Sequence, residues 1–156
     1  MVLKNYFIVA GLALLLQNCQ NSANSATTSA GEKDELMSVE WSTYGGQRGY
    51  VEKLTVTKDS IKHKTYTTMN DHETVEHRYK NSPEQWQKLV GAFQISDFKK
   101  VQDGESKLLF DGTDQKITVR TTTEADSLVN GFEDATNYPK IEKFAKLLES
   151  IRTEKK

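Results

Sequence analysis

TVEHRYKNSPEQWQKLVGAF, residues 74–93, changes its periodicity in the middle. Up to Lys80, Val75, His77 and Tyr79 alternate with Glu76 and Arg78, the two-residue period of a strand. Beyond Asn81 the period becomes helical. Ser82 is a good N-cap, Pro83 suits the first helical position, and Gln85 completes a capping box. Trp86, Leu89, Val90 and Phe93 then recur at helical spacing, and the helix should run to about Phe93.

The residues on either side tell how this helix is used. Towards the N-terminus three more segments alternate. Residues 37–44 place Val39, Trp41 and Thr43 on one face; residues 50–57 place Leu54 and Val56 inside and Lys53, Thr55 and Thr57 outside; residues 61–68 place Ile61 and His63 together. The glycine-rich GGQRG, residues 45–49, and Lys58-Asp59-Ser60 supply turns. Towards the C-terminus, Ile95 and Phe98 tuck the helix exit back onto the core. KLLF, residues 107–110, predicts a strand; Asp111-Gly112-Thr113-Asp114 predicts a hairpin turn; residues 115–121 predict a strand with Ile117 and Val119 inward; residues 127–132 predict a short strand. Tyr138-Pro139 opens a last helix whose stripe is Ile141, Phe144, Leu148 and Ile151, with Leu147 flanking. The basic end at Arg152, Lys155 and Lys156 suits a helix C-terminus. Strands, helix, strands, helix without regular βαβ alternation predict an α+β fold. Its core is an antiparallel β-sheet of about six to seven strands with two helices packed on one face. The other face, rich in Thr, Lys and Glu, should be solvated.

Of 156 residues, 36% are hydrophobic and 28% charged, and 21 Lys and Arg nearly balance 22 Asp and Glu. That balance lacks the basic footprint of a nucleic-acid binder. A single cysteine excludes an internal disulfide and the usual cysteine-based zinc site. It stands at Cys19, just after YFIVAGLALLL, residues 6–16. This run is shorter than the ~20 residues a membrane helix needs, and has the size of a signal-peptide core behind Lys4. Leu16-Gln17-Asn18-Cys19 resembles the lipobox of bacterial lipoproteins, with Asn18 where that family usually has Gly, Ala or Ser. The resemblance implies lipidation of Cys19 and cleavage before it. Several acyl chains on one residue, at ~0.8 kcal/mol per buried methylene, would anchor the chain to a membrane. Gln20 after the cysteine implies delivery to the outer membrane of the cell envelope. Residues 20–35 have no aromatic or large aliphatic side chain and read as a spacer. The expected organisation is therefore a signal peptide over residues 1–18, a polar tether over 19–36 and one domain over 37–156. The domain itself resembles small uncharacterised lipoproteins of Bacteroidota, through its glycine turn, its Ser-Pro-Glu-Gln-Trp helix start, its Asp-Gly turn and its terminal amphipathic helix.

Chemistry-bearing motifs are few. His63 and His77 become neighbours if their strands pair, which is half of a metal site with no carboxylate fixed beside it by spacing. His72 sits in turn material. Asp111 to Asp114 departs from a calcium loop, GGQRG lacks phosphate-loop spacing, and no G-x-S-x-G elbow is present. No catalytic residue, metal or cofactor is assigned. Tyr44 and Tyr50, with Arg48 between them on the glycine loop, are the candidate contacts for a ligand or partner. The expectation is a lipid-anchored, non-enzymatic binding module that meets the membrane through Cys19 and an envelope protein through its domain, and binds no nucleic acid. An inhibitor or immunity-type protein is the alternative, and a hydrolase a third reading.

Overall fold

The computed structural model describes residues 34–70 and 74–155. The leader, Cys19, most of the tether and His72 lie outside the described residues. The described chain forms β1 (Leu36–Gly45), β2 (Tyr50–Thr57), β3 (Ser60–Thr67), β4 (Val75–Lys80), α1 (Pro83–Ala92), the single turn α2 (Ile95–Phe98), β5 (Thr113–Thr121), β6 (Ala125–Val129) and α3 (Glu142–Glu154). The strands make one antiparallel sheet in the order β4-β3-β2-β1-β5-β6. The predicted α+β fold is the one observed. β1 begins at Leu36, so the last residue assigned to the tether is already a buried strand residue. Among the described residues no helix is long and apolar enough to cross a membrane.

Register gives the sheet its two sides, because residues paired across strands point the same way. One row runs Leu128–Ile117–Trp41–Leu54–His63–His77, and the next Asp126–Val119–Val39–Val56–Ile61–Tyr79. α1 and α3 cover this side. Leu89 from α1, Phe144 and Leu148 from α3, and Val39, Leu54, Val56, Ile61 and Val119 from the sheet are all fully buried. Each such side chain contributes roughly 1.5–3 kcal/mol of transfer free energy. Phe93 at the end of α1 stacks against Phe144, with ring centroids 5.1 Å apart, and against Phe98 of α2 at 6.2 Å. α2 is the tucked helix exit: Phe98 is buried and Ile95 half-buried.

α1 begins as its sequence dictates. The Ser82 hydroxyl accepts the backbone N–H of Gln85 at 3.1 Å, and Pro83 opens the first turn. α3 is preceded by a 3-10 turn, Tyr138–Lys140, so Pro139 ends up one turn ahead of the helix proper.

Two expectations for the C-terminal half are corrected. KLLF is not a strand: Leu108–Phe110 is a 3-10 turn, and none of its side chains is buried. The Lys107 carbonyl accepts the N–H groups of both Phe110 (3.1 Å) and Gly112 (2.9 Å), which winds the chain instead of extending it. Asp111-Gly112 therefore leads out of this turn into β5 rather than joining two strands. The short strand predicted over residues 127–132 is β6, ending at Val129. Asn130 then takes a left-handed conformation (φ 47°) and starts the 3-10 turn Gly131–Glu133. A short apolar run does not by itself distinguish extended from coiled backbone.

Replacing Ser82 with Ala should remove the α1 cap and lower unfolding stability by about 1 kcal/mol. Urea denaturation followed by circular dichroism measures this; an unchanged midpoint would show that the cap contributes nothing.

Candidate functional site

At one end of the sheet three irregular segments meet: the β1–β2 glycine turn, the 3-10 turn of residues 108–110, and the left-handed corner at Asn130. Gly45 (φ 132°) lies so close to the incoming chain that a Cβ there would sit 2.3 Å from the Gly112 carbonyl and 2.8 Å from the Leu108 side chain. The Gly46 N–H donates to that same Gly112 carbonyl at 2.9 Å. The glycine loop was legible as a turn. Its role as the seat for residues 108–112 was not, since it depends on a contact across more than sixty positions of chain.

Asp114 holds this end together. Its carboxylate is buried and accepts three hydrogen bonds: from the Lys107 backbone N–H (2.8 Å), the Ser106 hydroxyl (2.7 Å) and Asn130 Nδ2 (2.9 Å). Asn130, equally buried, uses Nδ2 also on the Glu105 carbonyl (2.8 Å) and accepts the Gln115 N–H on Oδ1 (2.8 Å). Burial alone would push the Asp114 carboxyl up; the hydrogen bonds from Lys107, Asn130 and Ser106 outweigh it and hold the group below its ordinary value. Asp134 ties down the neighbouring loop. Backbone bonds from Gln102 and side-chain and backbone bonds from Asn137 lower its pKa from 3.8 to about 2.

What these polar groups hold out to solvent is apolar. Leu109 is 88% exposed and Phe110 81% exposed, with Leu108 partly exposed on the same turn and Phe132 on the turn after Asn130. The Lys107 ammonium lies 5.1 Å from the Phe132 ring centre and 2.9 Å from Glu133 Oε1. Sequence reasoning missed Leu109 and Phe110 because it assigned them to a half-buried strand.

Of the contacts predicted on the glycine loop, Arg48 is exposed at the turn. Tyr44 and Tyr50 are brought near the same end but on opposite faces. Tyr44 pairs with Val51 and Asp114 on the uncovered side, whereas Tyr50 pairs with Gly45 on the helix side. Partial burial, then the charge of Asp114, raises the Tyr44 phenol; partial burial, then Glu52, raises that of Tyr50.

The histidine pair is real as a register and divided as chemistry. His63 and His77 are direct cross-strand partners. His63 is buried and its Nε2 lies 2.9 Å from Glu52 Oε1, while His77 is exposed beside Tyr79. Glu52, also buried, receives Arg152 Nη1 from α3 at 3.2 Å and 3.3 Å. Arg152 also bonds Glu149, and its guanidinium stacks 4.8 Å over Trp41. Hydrogen bonding to Glu149, and after burial the charges of Glu149 and Glu52, raise the Arg152 pKa. This cluster pins the end of α3 to the sheet. A shallow hollow of about 200 Å³ opens beside it between Trp41, Tyr138 and Glu149, below the ~300–1,000 Å³ usual for ligand pockets. Among the described residues no three His, Cys, Asp or Glu side chains gather to hold a metal.

The molecule is thus of the class with one antiparallel sheet covered by helices on a single side. No model of a known protein family matches the chain, and no curated protein matches it. This overturns the lipoprotein reading: neither comparison returns a lipoprotein relative to carry the signal-peptide, lipobox and acylation assignments, or the cell-envelope and outer-membrane address drawn from them. Those assignments rested on short leader features, the apolar run of residues 6–16, the motif at Cys19 and Gln20, and on a resemblance in structural punctuation, and short motifs without a matching relative are a weak signal.

Two outcomes follow for the polar clusters. Glu52→Ala should cost about 1–3 kcal/mol in thermal or urea unfolding, because buried His63 loses its hydrogen-bond partner and Arg152 is left with Glu149; a loss below about 0.5 kcal/mol would show the cluster to be solvated. Asp114 and Asp134 have folded pKa values below their unfolded value of 3.8. Their contribution is present above that value and lost as pH falls through the folded values, which for Asp134 is about 2. The double variant Asp114→Asn/Asp134→Asn should therefore show a flatter stability profile between those pH values; an identical slope in both proteins would refute the assignment.

Proposed function

We propose that this domain is a non-enzymatic binding module that engages a protein partner through the turn at residues 108–110. The observation that carries the reading is the exposure of Leu109 and Phe110 on a backbone held rigid by a buried, fully bonded carboxylate. Two adjacent large apolar side chains in water gain nothing for folding. Presented on a pre-ordered turn, they bind without the cost of ordering a loop. Leu108 on the same turn and Phe132 add exposed apolar surface, and Lys107, 5.1 Å from the Phe132 ring centre, supplies a polar group beside it, in keeping with an apolar centre and a polar rim.

The same geometry favours an inhibitor as the second reading, since a stiff projecting turn is suited to filling a partner's cleft. The two differ in what is bound: an inhibitor's partner is an enzyme whose activity falls on binding.

A photo-crosslinking amino acid at position 110, compared with one at the exposed helix position 88, tests the proposal in extracts of the source cell. One discrete adduct should form from position 110 and not from position 88. Leu109→Ser should reduce it by about tenfold, as expected for loss of one interface anchor. Equal labelling from both positions, or an adduct indifferent to Leu109→Ser, would overturn it.

A further inference from the structure

The sheet face away from the helices carries segregated charge. Register places Glu76–Lys64–Lys53–Ser42–Lys116 in one row across the sheet, Arg78–Lys62–Thr55–Glu40–Thr118–Ser127 in the next, and Lys80–Ser60 and Thr57–Ser38–Arg120 in the third. Seven basic side chains thus share this face with two exposed carboxylates, in a chain whose formal net charge is −1. Both carboxylates are already engaged: Glu40 with Lys53 at 3.0 Å, and Glu76 with Arg78 at 2.8 Å and Lys62 at 3.6 Å. Among the described residues Lys64, Lys80, Lys116 and Arg120 have no ion-pair partner.

We propose that this open sheet face binds an extended acidic polysaccharide, its carboxylates or sulfates lying along the lysine rows between Lys64 and Lys116. The charge is complementary and is laid out in lines rather than in a pocket. Neighbouring strands place paired side chains roughly 4.8 Å apart, so Lys64, Lys53 and, beyond Ser42, Lys116 cross the sheet in a line that a linear polyanion can follow. Hydroxyls of Ser38, Thr55 and Thr118 sit between the cations and offer hydrogen bonds to sugar hydroxyls. A single-stranded nucleic acid fits less well. It requires aromatic rings beneath successive bases, and among the described residues this face has only Tyr44 and Tyr66, together at one end across Val51. The site is separate from the turn at Leu109 and Phe110 and stands without it.

The test is titration of the full chain with a heparin oligosaccharide, with polygalacturonate and with single-stranded oligothymidylate, each at two salt concentrations. At least one glycan should bind saturably, more weakly as salt rises. The triple variant Lys64→Gln/Lys116→Gln/Arg120→Gln should lose about tenfold or more in affinity. A charge-matched control on the helical side, Lys88→Gln/Lys100→Gln/Lys143→Gln, should stay within about twofold, because exposed charges more than a Debye length away are screened. Circular dichroism confirms that both variants fold. Absence of saturable glycan binding, equal losses in the two triple variants, or tighter binding of the oligothymidylate than of either glycan would each overturn the proposal.

Discussion

Burial of one side of a six-stranded sheet is the constraint on which the rest depends. β1 sits in the middle, paired on both edges, and its register with β2 and β5 aligns Val39 and Trp41 with Leu54, Val56, Ile117 and Val119. A slip of one residue at either pairing would turn these side chains to water and bring Lys53 and Lys116 under the helices. α1 and α3 then have one place to go. Their apolar stripes find the only sheet face able to receive them, and Phe93, Phe98 and Phe144 close the gap between the two helices and the turn that follows α1.

The buried polar groups work at the margins of this core. Glu52, His63 and Arg152 sit where the apolar row runs out and α3 ends. An ion cluster there does not deepen the core; it fixes where the last turn of α3 lies, because any other placement strands a charge. Asp114 and Asn130 do the same for irregular backbone. The Glu105 carbonyl, the Lys107 and Gln115 N–H groups and the Ser106 hydroxyl find their partners in these two side chains, which also bond each other. A buried carboxylate surrounded by donors is costly to protonate and costly to remove, so the turn it organises is stiff. These bonds fix the backbone that leads into the exposed Leu109 and Phe110.

Legibility in the sequence followed the range of the interactions. The α1 start was readable from Ser82, Pro83 and Gln85, since an N-cap acts over three residues. β2 and β3 were readable from the alternation of Leu54, Val56, Ile61 and His63, and the α3 stripe from Phe144, Leu148 and Ile151. KLLF was misread because its winding is imposed by the Lys107 carbonyl and by an aspartate seven residues on, while its apolar content suits strand and turn alike. The two tyrosines of the glycine loop were found, but their separation onto opposite faces is a matter of parity in the pairing that no local pattern records.

Taken alone, the residues determined the element types, the sheet-plus-helices class and the inward side of most strands, because hydrophobic period and capping chemistry are local. They placed Thr, Lys and Glu on the outward face but did not give its charge balance. A near-neutral composition of 21 basic and 22 acidic residues carries no trace of a face with seven cations and two carboxylates. Only pairing register gathers lysines from four strands into rows, and only tertiary contact turns Asp114 from a turn residue into the buried anchor of an exposed apolar turn. Both arise from residues far apart in the chain, whose meeting is decided by how the sheet assembles.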